Sequence, residues 1–589
     1  MSRASYVTVD EITLQNTADA IRAKTGKSAT MYPSQFATEI GKISGTELPP
    51  ADAVRFIDYD GTILYSYSAE EFLALEALPA NPSHTGLVAE GWNWTLADAK
   101  EQVEACGILD VGQMYHTSSG KTEIDIELLE GALSPYLALG PKGTCTVEWG
   151  DGTTSTVTGS SLTTQVRTQH NYSAPGNYTI KISIDSGTLA LLGSSTYPLL
   201  NAQNTSLNYN YVYSSAVNYI RLGSNIAIGS YGCAYLVNLK AVSIGSTNTV
   251  GGNTFYNCYN LIAMIFPKQS SYAVNNSATS SCYNLKYMSF PKEISSVGAI
   301  FDNTVNLTSI SIGINSYMNV SALSLSNYPF RAKRVGFAKS KNFIIKKNEI
   351  NMSSLLESNA TTIPASLCRS QQDITAINGM PNTVTQMGDY AFYGATWLTS
   401  IDLNNITTIG TGGLGYCHFS SINTSKITSI GNNAFAACYS LQSINLSKLN
   451  SASSTGFCQS CYSLTNIELP TTTTVTTLGA NAFSYCYSLR KITIPSNITT
   501  IKSGAFSYCR ALSSITLSSS ITTIEAQAFY CCYGLAAIHI KATNPPTLSN
   551  VNAFSSISPN AVFYVPSASL NTYKTADNWS TYASQMVGE

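Results

Sequence analysis

From about residue 205, apolar positions recur with a period far longer than a helix or strand repeat. Compare NTFYNCYNLIAMIFP (253–267), ATSSCYNLKYMSFP (278–291) and NNAFAACYSLQSINL (432–446). ANAFSYCYSLRKITIP (480–495), SGAFSYCRALSSITL (503–517) and AQAFYCCYGLAAIHI (526–540) continue the series. The shared core is Ala-Phe-x-x-Cys-x-x-Leu-x-x-Ile-x-Ile, preceded by Ile-x-x-Ile. Cys438, Cys461, Cys486, Cys509 and Cys532 are 23, 25, 23 and 23 residues apart, and Cys258 to Cys282 is 24. A period of ~20–29 residues with Leu-x-x-Ile-x-Ile predicts a solenoid over 200–545, in which each turn contributes one short strand. Turns stack about 4.8 Å apart, so about fifteen would form a curved rod on the order of 70 Å long. Phe435, Phe483, Phe506 and Phe529 are expected to stack inside, with Leu441, Leu464, Leu489, Leu512 and Leu535. Segment 330–350, FRAKRVGFAKSKNFIIKKNEI, is the least regular and most basic part, and reads as an insertion or a joint between sub-arrays.

Before the array the pattern changes. Residues 12–43 carry apolar residues at helical spacing: Leu14, Ala18 and Ile21, then Phe36, Ile40 and Ile43. Two short helices are predicted, too small to stand alone, so 1–45 should pack on copies of itself or on a partner. SGTELPPAD then reads as a linker. VRFIDY and TILYSY are β-prone runs flanking Asp60-Gly61, a strong hairpin signal because both turn residues tolerate positive φ. Residues 51–135 read as a small α+β domain. In 136–190, CTVEWGDGTTSTVTG predicts a strand ending in a Gly-Asp-Gly turn, and PGNYTIKISI a turn entering an alternating strand. The expected fold is therefore multidomain and mainly β: a helical element, an α+β domain, a β-sandwich, the solenoid, and a cap over 546–589.

Composition narrows the function. Charged residues are 11% of 589 and the formal net charge is −2. Nothing here supports an electrostatic grip on nucleic acid, and no apolar run is long enough for membrane insertion. The start, MSRASYVTVDEITLQ, has no apolar stretch of signal-peptide length, so we expect synthesis in a cytoplasm and release by lysis. The 14 cysteines are then expected as thiols. Their placement one per turn reads as a buried small hydrophobe, not a metal or redox site, and Cys461 of the Cys458-x-x-Cys461 pair is itself the repeat cysteine. None of the five histidines (His84, His116, His170, His418, His539) has metal-binding spacing. No metal, cofactor or enzymatic activity is expected.

Four resemblances add to this reading. Asp58-Tyr59-Asp60-Gly61-Thr62 resembles the nucleophile motif of haloacid-dehalogenase-type phosphatases. That family also needs a doubly wound sheet, a later lysine and a later acidic pair, which the following residues do not show, so Asp58 and Asp60 are read as turn residues. If the motif were catalytic, a phosphatase activity would vanish in Asp58→Asn. VRFIDYDGTILYSYSAEEFLALEALPANPSH, GWNWTLADAK and DVGQMY resemble a small domain of predicted phage tail proteins of Gram-positive gut bacteria, and TADAIRAKTG…YPSQFATEI looks like another recurring element of such proteins. Trp149-Gly150-Asp151-Gly152, His170-x-Tyr172 and Pro175-Gly176-x-Tyr178 look like a PKD-type β-sandwich, with His170 and Asp151 expected to hold turns. The repeats resemble BspA-like leucine-rich repeats, and NPPTLSNVNAF…TYASQM looks like their terminal cap.

Tyrosine is abundant at 36, and it often follows the repeat cysteine. Stacked turns would align Tyr259, Tyr283, Tyr439, Tyr462, Tyr487 and Tyr533 as a ladder, with Tyr485 and Tyr508 beside it. Rigid amphipathic rings among Ser, Thr and Asn suit protein contacts and sugar faces. These eight are the candidate binding residues. The expected function is a phage tail receptor-binding protein, located in the virion tail, that recognises a bacterial surface glycan or protein through the array. Its N-terminus would hold other tail or baseplate proteins or copies of itself. A secreted BspA-type adhesin and a purely structural tail component are the alternatives.

Overall fold

The computed structural model describes residues 53–106, 109–202 and 207–267, segments within 273–311 and 343–370, and 374–589. The predicted helices of 12–43, the linker and most of the basic segment 330–350 lie outside the described residues. What is described is mainly β, with little helix and a solenoid of stacked coils.

The first unit is a four-stranded sheet, β1 (Val54–Ile57), β2 (Ile63–Tyr67), β3 (Leu87–Trp92) and β4 (Leu109–Thr117), in the order β2-β1-β4-β3. Two helices join it, α1 (Ala69–Leu73) and α2 (Leu96–Cys106). Ser68 and Glu71 form a reciprocal capping box that starts α1. Phe56, Phe72, Trp92, Val103 and Val111 fill the core. β1 and β2 form the predicted hairpin, but its turn differs from a two-residue Asp-Gly loop. Gly61 N–H donates to Asp58 O, and only Gly61 has positive φ, +89°. This is a type I-like turn closed by a glycine bulge, a common longer hairpin loop.

The second unit contains β5 (Thr122–Leu128), β6 (Tyr136–Glu148), β7 (Thr154–Ser160), β8 (Val166–Gln169) and β9 (Gly176–Leu191). β5, expected in the preceding domain, pairs with β9 here. The predicted boundary near 190–200 is also bridged. β5 pairs with the first solenoid strand, Val217–Arg221, and the end of β9 pairs with Ile226–Ile228. One apolar core runs from Ile124, Val147 and Trp149 into Leu236, Phe255 and Met288. The antiparallel β5–β9 pair thereby covers the open edges of the first coil, as the end of a solenoid requires.

Each well-formed coil contributes two strands, not the single one expected. The Leu-x-x-Ile-x-Ile segment forms the longer, as in Lys491–Thr493, Ser514–Leu517 and Ala537–Ile540. A two-residue strand from the Ile-x-x-Ile segment forms a second parallel row: Thr477–Leu478, Thr500–Ile501, Thr523–Ile524, Thr547–Leu548. Between the rows run the phenylalanines. Phe483, Phe506, Phe529 and the cap residue Phe554 stack at 5.7, 5.4 and 5.0 Å between centroids. The cap closes the column with Trp579, whose indole N–H donates to Pro546 O at 2.7 Å.

The array is not one rod. Coils with strands from 217 to 311 form arm 1, and those from 348 to 565 form arm 2. The arms lie side by side in opposite directions: Tyr283 meets Tyr439 (5.3 Å), Tyr259 meets Tyr462 (5.9 Å), and Tyr211 meets Tyr487 (5.9 Å). As arm 1 advances, its partners in arm 2 recede.

Candidate binding surfaces

The residue after the repeat cysteine builds the seam between the arms. Tyr259 and Tyr283 are only 4% and 7% exposed, within an apolar cluster that also takes in Tyr211, Tyr235, Tyr439, Tyr462 and Tyr487. The expectation of a solvent-facing ladder is therefore corrected for Tyr259, Tyr283, Tyr439, Tyr462 and Tyr487. Their rings pack on those of the other arm. Burial raises the phenol pKa values of Tyr259, Tyr462 and Tyr487. Arg510 replaces tyrosine at this position in one coil, with its guanidinium over Tyr487 (4.9 Å) and Tyr211 (5.5 Å).

The next residue completes the seam. In arm 1 it is asparagine: Asn238, Asn260 and Asn284. Asn260 Nδ2 donates to Asn238 Oδ1 and Asn284 Nδ2 to Asn260 Oδ1, both at 3.2 Å. In arm 2 it is serine in the facing coils. Ser440 Oγ donates to Tyr283 O at 3.0 Å, and Gln442 Nε2 donates to Asn260 Oδ1 at 3.0 Å. Buried amides need such partners; arm 1 supplies most of its own, and Gln442 of arm 2 adds one to Asn260.

Three of the eight tyrosines stand elsewhere. Tyr485 and Tyr508 stack at 4.6 Å with planes 5° apart, half-buried on the outer loops of arm 2. Both have positive φ, +62° and +61°, an uncommon conformation for a bulky residue. Tyr390, Tyr393 and Tyr416 extend the outer aromatic edge, and Tyr416 is 37% exposed. Tyr533 lines a cleft beside the cap.

The longer strands also turn a face outward, and here the arms differ. In arm 1 this face lies under the first unit. Gly112 of β4 sits where a Cβ would come within 2.5 Å of Ile265 Cγ2. Trp94 Nε1 donates to Phe290 O at 2.8 Å, and Ser289 Oγ to Asp110 O at 2.7 Å. In arm 2 the same face carries Ser443, Asn466, Glu468, Lys491 and Thr493, all exposed. Its far end is pinned to the second unit. Arg490, largely buried, donates to Glu127 Oε2 at 2.7 Å, and His539 lies 2.9 Å from both Glu130 and Glu589. Burial lowers the Arg490 pKa and the Glu127 charge opposes it.

Asp58 and Asp60 of the phosphatase-like motif, and Asp151 and His170, make local contacts. Asp58 is buried, with Oδ2 2.6 Å from His84 Nε2 and Oδ1 accepting from Tyr59 N–H. Asp60 accepts from Thr62 N–H. Tyr115 packs on His84 and Tyr59, and burial plus the Asp58 charge raises its phenol pKa. Asp151 takes the Thr153 N–H and hydroxyl and lies 2.7 Å from His170, which stacks on Trp149. Burial alone would raise the Asp151 pKa, but the Thr153 and His170 hydrogen bonds bring it down to about 2.

The thirteen cysteines whose side chains are described are buried and form no disulfide. Their thiols serve the coils in a way the spacing did not disclose. Cys282 donates to Phe255 O at 3.1 Å, Cys461 to Phe435 O at 3.2 Å, Cys509 to Phe483 O at 3.1 Å and Cys532 to Phe506 O at 3.0 Å. Each thiol thus satisfies a buried carbonyl of the preceding coil while filling an apolar space. Burial raises the Cys509 pKa to about 12. Among the described residues no group of three or more His, Cys, Asp or Glu is placed to hold a metal, and no helix is long and apolar enough to cross a membrane.

Several solved structures are similar to parts of this chain. A leucine-rich repeat protein from Bacteroides ovatus is 19% identical over 59% of this chain and 88% of its own, with a TM-score of 0.29. A leucine-rich cell surface protein from Faecalibacterium prausnitzii is 19% identical, covering 57% and 87%, with a TM-score of 0.18. A leucine-rich repeat protein from Eubacterium ventriosum is 19% identical, covering 64% and 92%, with a TM-score of 0.24. No curated protein matches the chain. The model of the BspA-type leucine-rich repeat region matches residues 205–328, 361–477 and 450–573. With more than half of its length so matched, the chain belongs to the BspA-type leucine-rich repeat family.

Proposed function

We propose that the chain is a phage tail receptor-binding protein that recognises a glycan or protein of the bacterial surface through arm 2. The observation that carries this is the open outward face of arm 2, against the covered equivalent in arm 1. Ser443, Asn466, Glu468, Lys491 and Thr493 present hydroxyl, amide and charged groups on parallel strands of arm 2. Tyr485 and Tyr508 add a stacked aromatic edge on the same arm. Rigid rings and adaptable polar groups are what binding surfaces use. The virion-tail assignment is supported by the phage-tail resemblance of residues 51–135. Residues 1–45 would join the protein to other tail components or to copies of itself, and the PKD-like 136–190 region would orient the array. The reading assigns no catalytic step and no cofactor.

The test uses the intact chain, because a cut near residue 200 would open the core that the second unit shares with arm 1. Labelled protein is incubated with a panel of Gram-positive gut bacteria. Decoration of one or a few strains is expected, reduced at least tenfold by the combination Ser443→Arg, Asn466→Arg and Thr493→Arg with thermal stability unchanged. Decoration of no strain, or equal decoration by the triple variant, contradicts the proposal.

A further inference from the structure

The second unit, its link to arm 1 and the end of arm 2 line a cleft that the array alone does not have. Its volume is about 530 Å³, within the ~300–1,000 Å³ range of small-ligand sites. One wall comes from the second unit and its link to arm 1: Ser134, Gln169 and Tyr213. The other comes from the last coil of arm 2 and the cap: Tyr533, Ser558 and Asn560. Glycines let the walls approach closely. A Cβ on Gly131 would lie 2.3 Å from Ala536 Cβ, and one on Gly534 would lie 3.0 Å from Val212 Cβ. The walls are tied by Arg490–Glu127 and His539–Glu130, and Ser134 N–H donates to the Tyr213 hydroxyl. The cleft is thus held in shape before any ligand arrives, which reduces the ordering cost of binding.

No lining residue is charged. Glu130, next to the lining Gly131, is engaged with His539. A charged ligand would therefore enter without a counter-ion and lose hydration. The chemistry present is two phenol rings, a proline, two amides and two serine hydroxyls. Amides and hydroxyls both donate and accept, as sugar hydroxyls do, and ring faces cover apolar C–H surfaces.

We infer that this cleft binds a neutral saccharide of two or three residues. The inference rests on the recognition role proposed above and names the substrate class for one site of it. Tyr533, in register with the seam tyrosines Tyr439, Tyr462 and Tyr487, serves the cleft instead.

The test is saturation-transfer NMR on the full chain. The panel is neutral di- and trisaccharides of glucose, galactose, N-acetylglucosamine, N-acetylgalactosamine and rhamnose, with glucuronic acid as the charged control. Gln169 and Asn560 are exposed, so Gln169→Ala and Asn560→Trp leave the cores untouched. Transfer to at least one neutral member is expected, with none to glucuronic acid. Asn560→Trp, which fills the cleft, should reduce it at least tenfold, and Gln169→Ala at least threefold. The inference is overturned if no neutral member responds, if glucuronic acid responds equally, or if Asn560→Trp responds as the parent does. Cell decoration is scored separately. Decoration without saccharide transfer removes the cleft and keeps the recognition role. Transfer without decoration keeps the cleft and removes that role.

Discussion

In arm 1 the strand residues flanking the core Met264 are Ala263 and Ile265, both buried. In arm 2 those flanking Ile492 are Lys491 and Thr493, both exposed. The backbone is the same parallel coil in each. What differs is the neighbour: β4 lies over the first, whereas the second meets only the Glu127 carboxylate of β5 at its edge, 3.4 Å from Lys491 Nζ. One repeat thus yields a docking face for the protein's own first unit and an open face for something else. The position after the repeat tyrosine divides the arms in the same way. Asn238, Asn260 and Asn284 form an amide ladder in arm 1, while Ser440 and Ser463 of arm 2 donate to the neighbouring Tyr283 and Tyr259 carbonyls. A near-identical repeat becomes two complementary surfaces through a change at two or three positions per coil.

The comparison can be broken most severely at the docking face. Ile265→Asp would bury a carboxylate against Gly112 and should cost about 4 kcal/mol in denaturant unfolding. Thr493→Asp, at the matching place in arm 2, should stay within about 0.5 kcal/mol. Equal effects would mean that the first unit does not cover arm 1. The seam comes next. Tyr283→Ala should cost about 3 kcal/mol through lost ring packing, whereas Tyr485→Ala on the outer edge should cost about 1 kcal/mol.

Acid sharpens the contrast, because arm 1 has no histidine and arm 2 buries His418. Burial pushes the His418 pKa down from 6.5 to about 3. Its folded form stays neutral where the unfolded imidazole takes up a proton. This contribution is complete above pH 6.5 and is lost as pH falls toward 3, by up to about 1.4 kcal/mol per pH unit. His418→Leu should flatten that slope in a pH series of unfolding curves; an unchanged slope would place the sensitivity elsewhere. The smallest effect is at the thiols. Cys509→Ala should cost about 1 kcal/mol, from one lost carbonyl partner and a small void, and reductant should leave the melting temperature unchanged. A drop in melting temperature on reduction would reveal disulfides and refute the thiol ladder.

The coil was legible in the sequence because repetition reports the same core many times. Phe483, Phe506 and Phe529 and the repeat cysteines all lie inside, where their periodic positions put them. The hairpin at Asp60-Gly61 was legible from turn chemistry, although the bulge at Gly61 was not. The fold-back of the arms was hidden, since a tyrosine ladder facing water and one facing another ladder have the same spelling. Two signals were present nonetheless: Asn against Ser after the tyrosine, and Ala263/Ile265 against Lys491/Thr493 on the strands. Either reads as variation within a repeat until the partner surface is known. The cleft was beyond reach for another reason. Its lining comes from segments more than 300 residues apart, joined by contacts such as Glu127–Arg490 that no local pattern encodes.

The central claim is that the seam tyrosines pack one arm against the other and leave the strand face of arm 2 open. It is tested most directly by placing a photo-crosslinking phenylalanine analogue at position 439 of the full chain and mapping the crosslinked peptides. The account predicts a crosslink to the arm 1 coil containing Tyr283, 156 positions away in sequence. Crosslinks confined to the adjacent coils around Tyr416 and Tyr462 would contradict it and restore the single open rod.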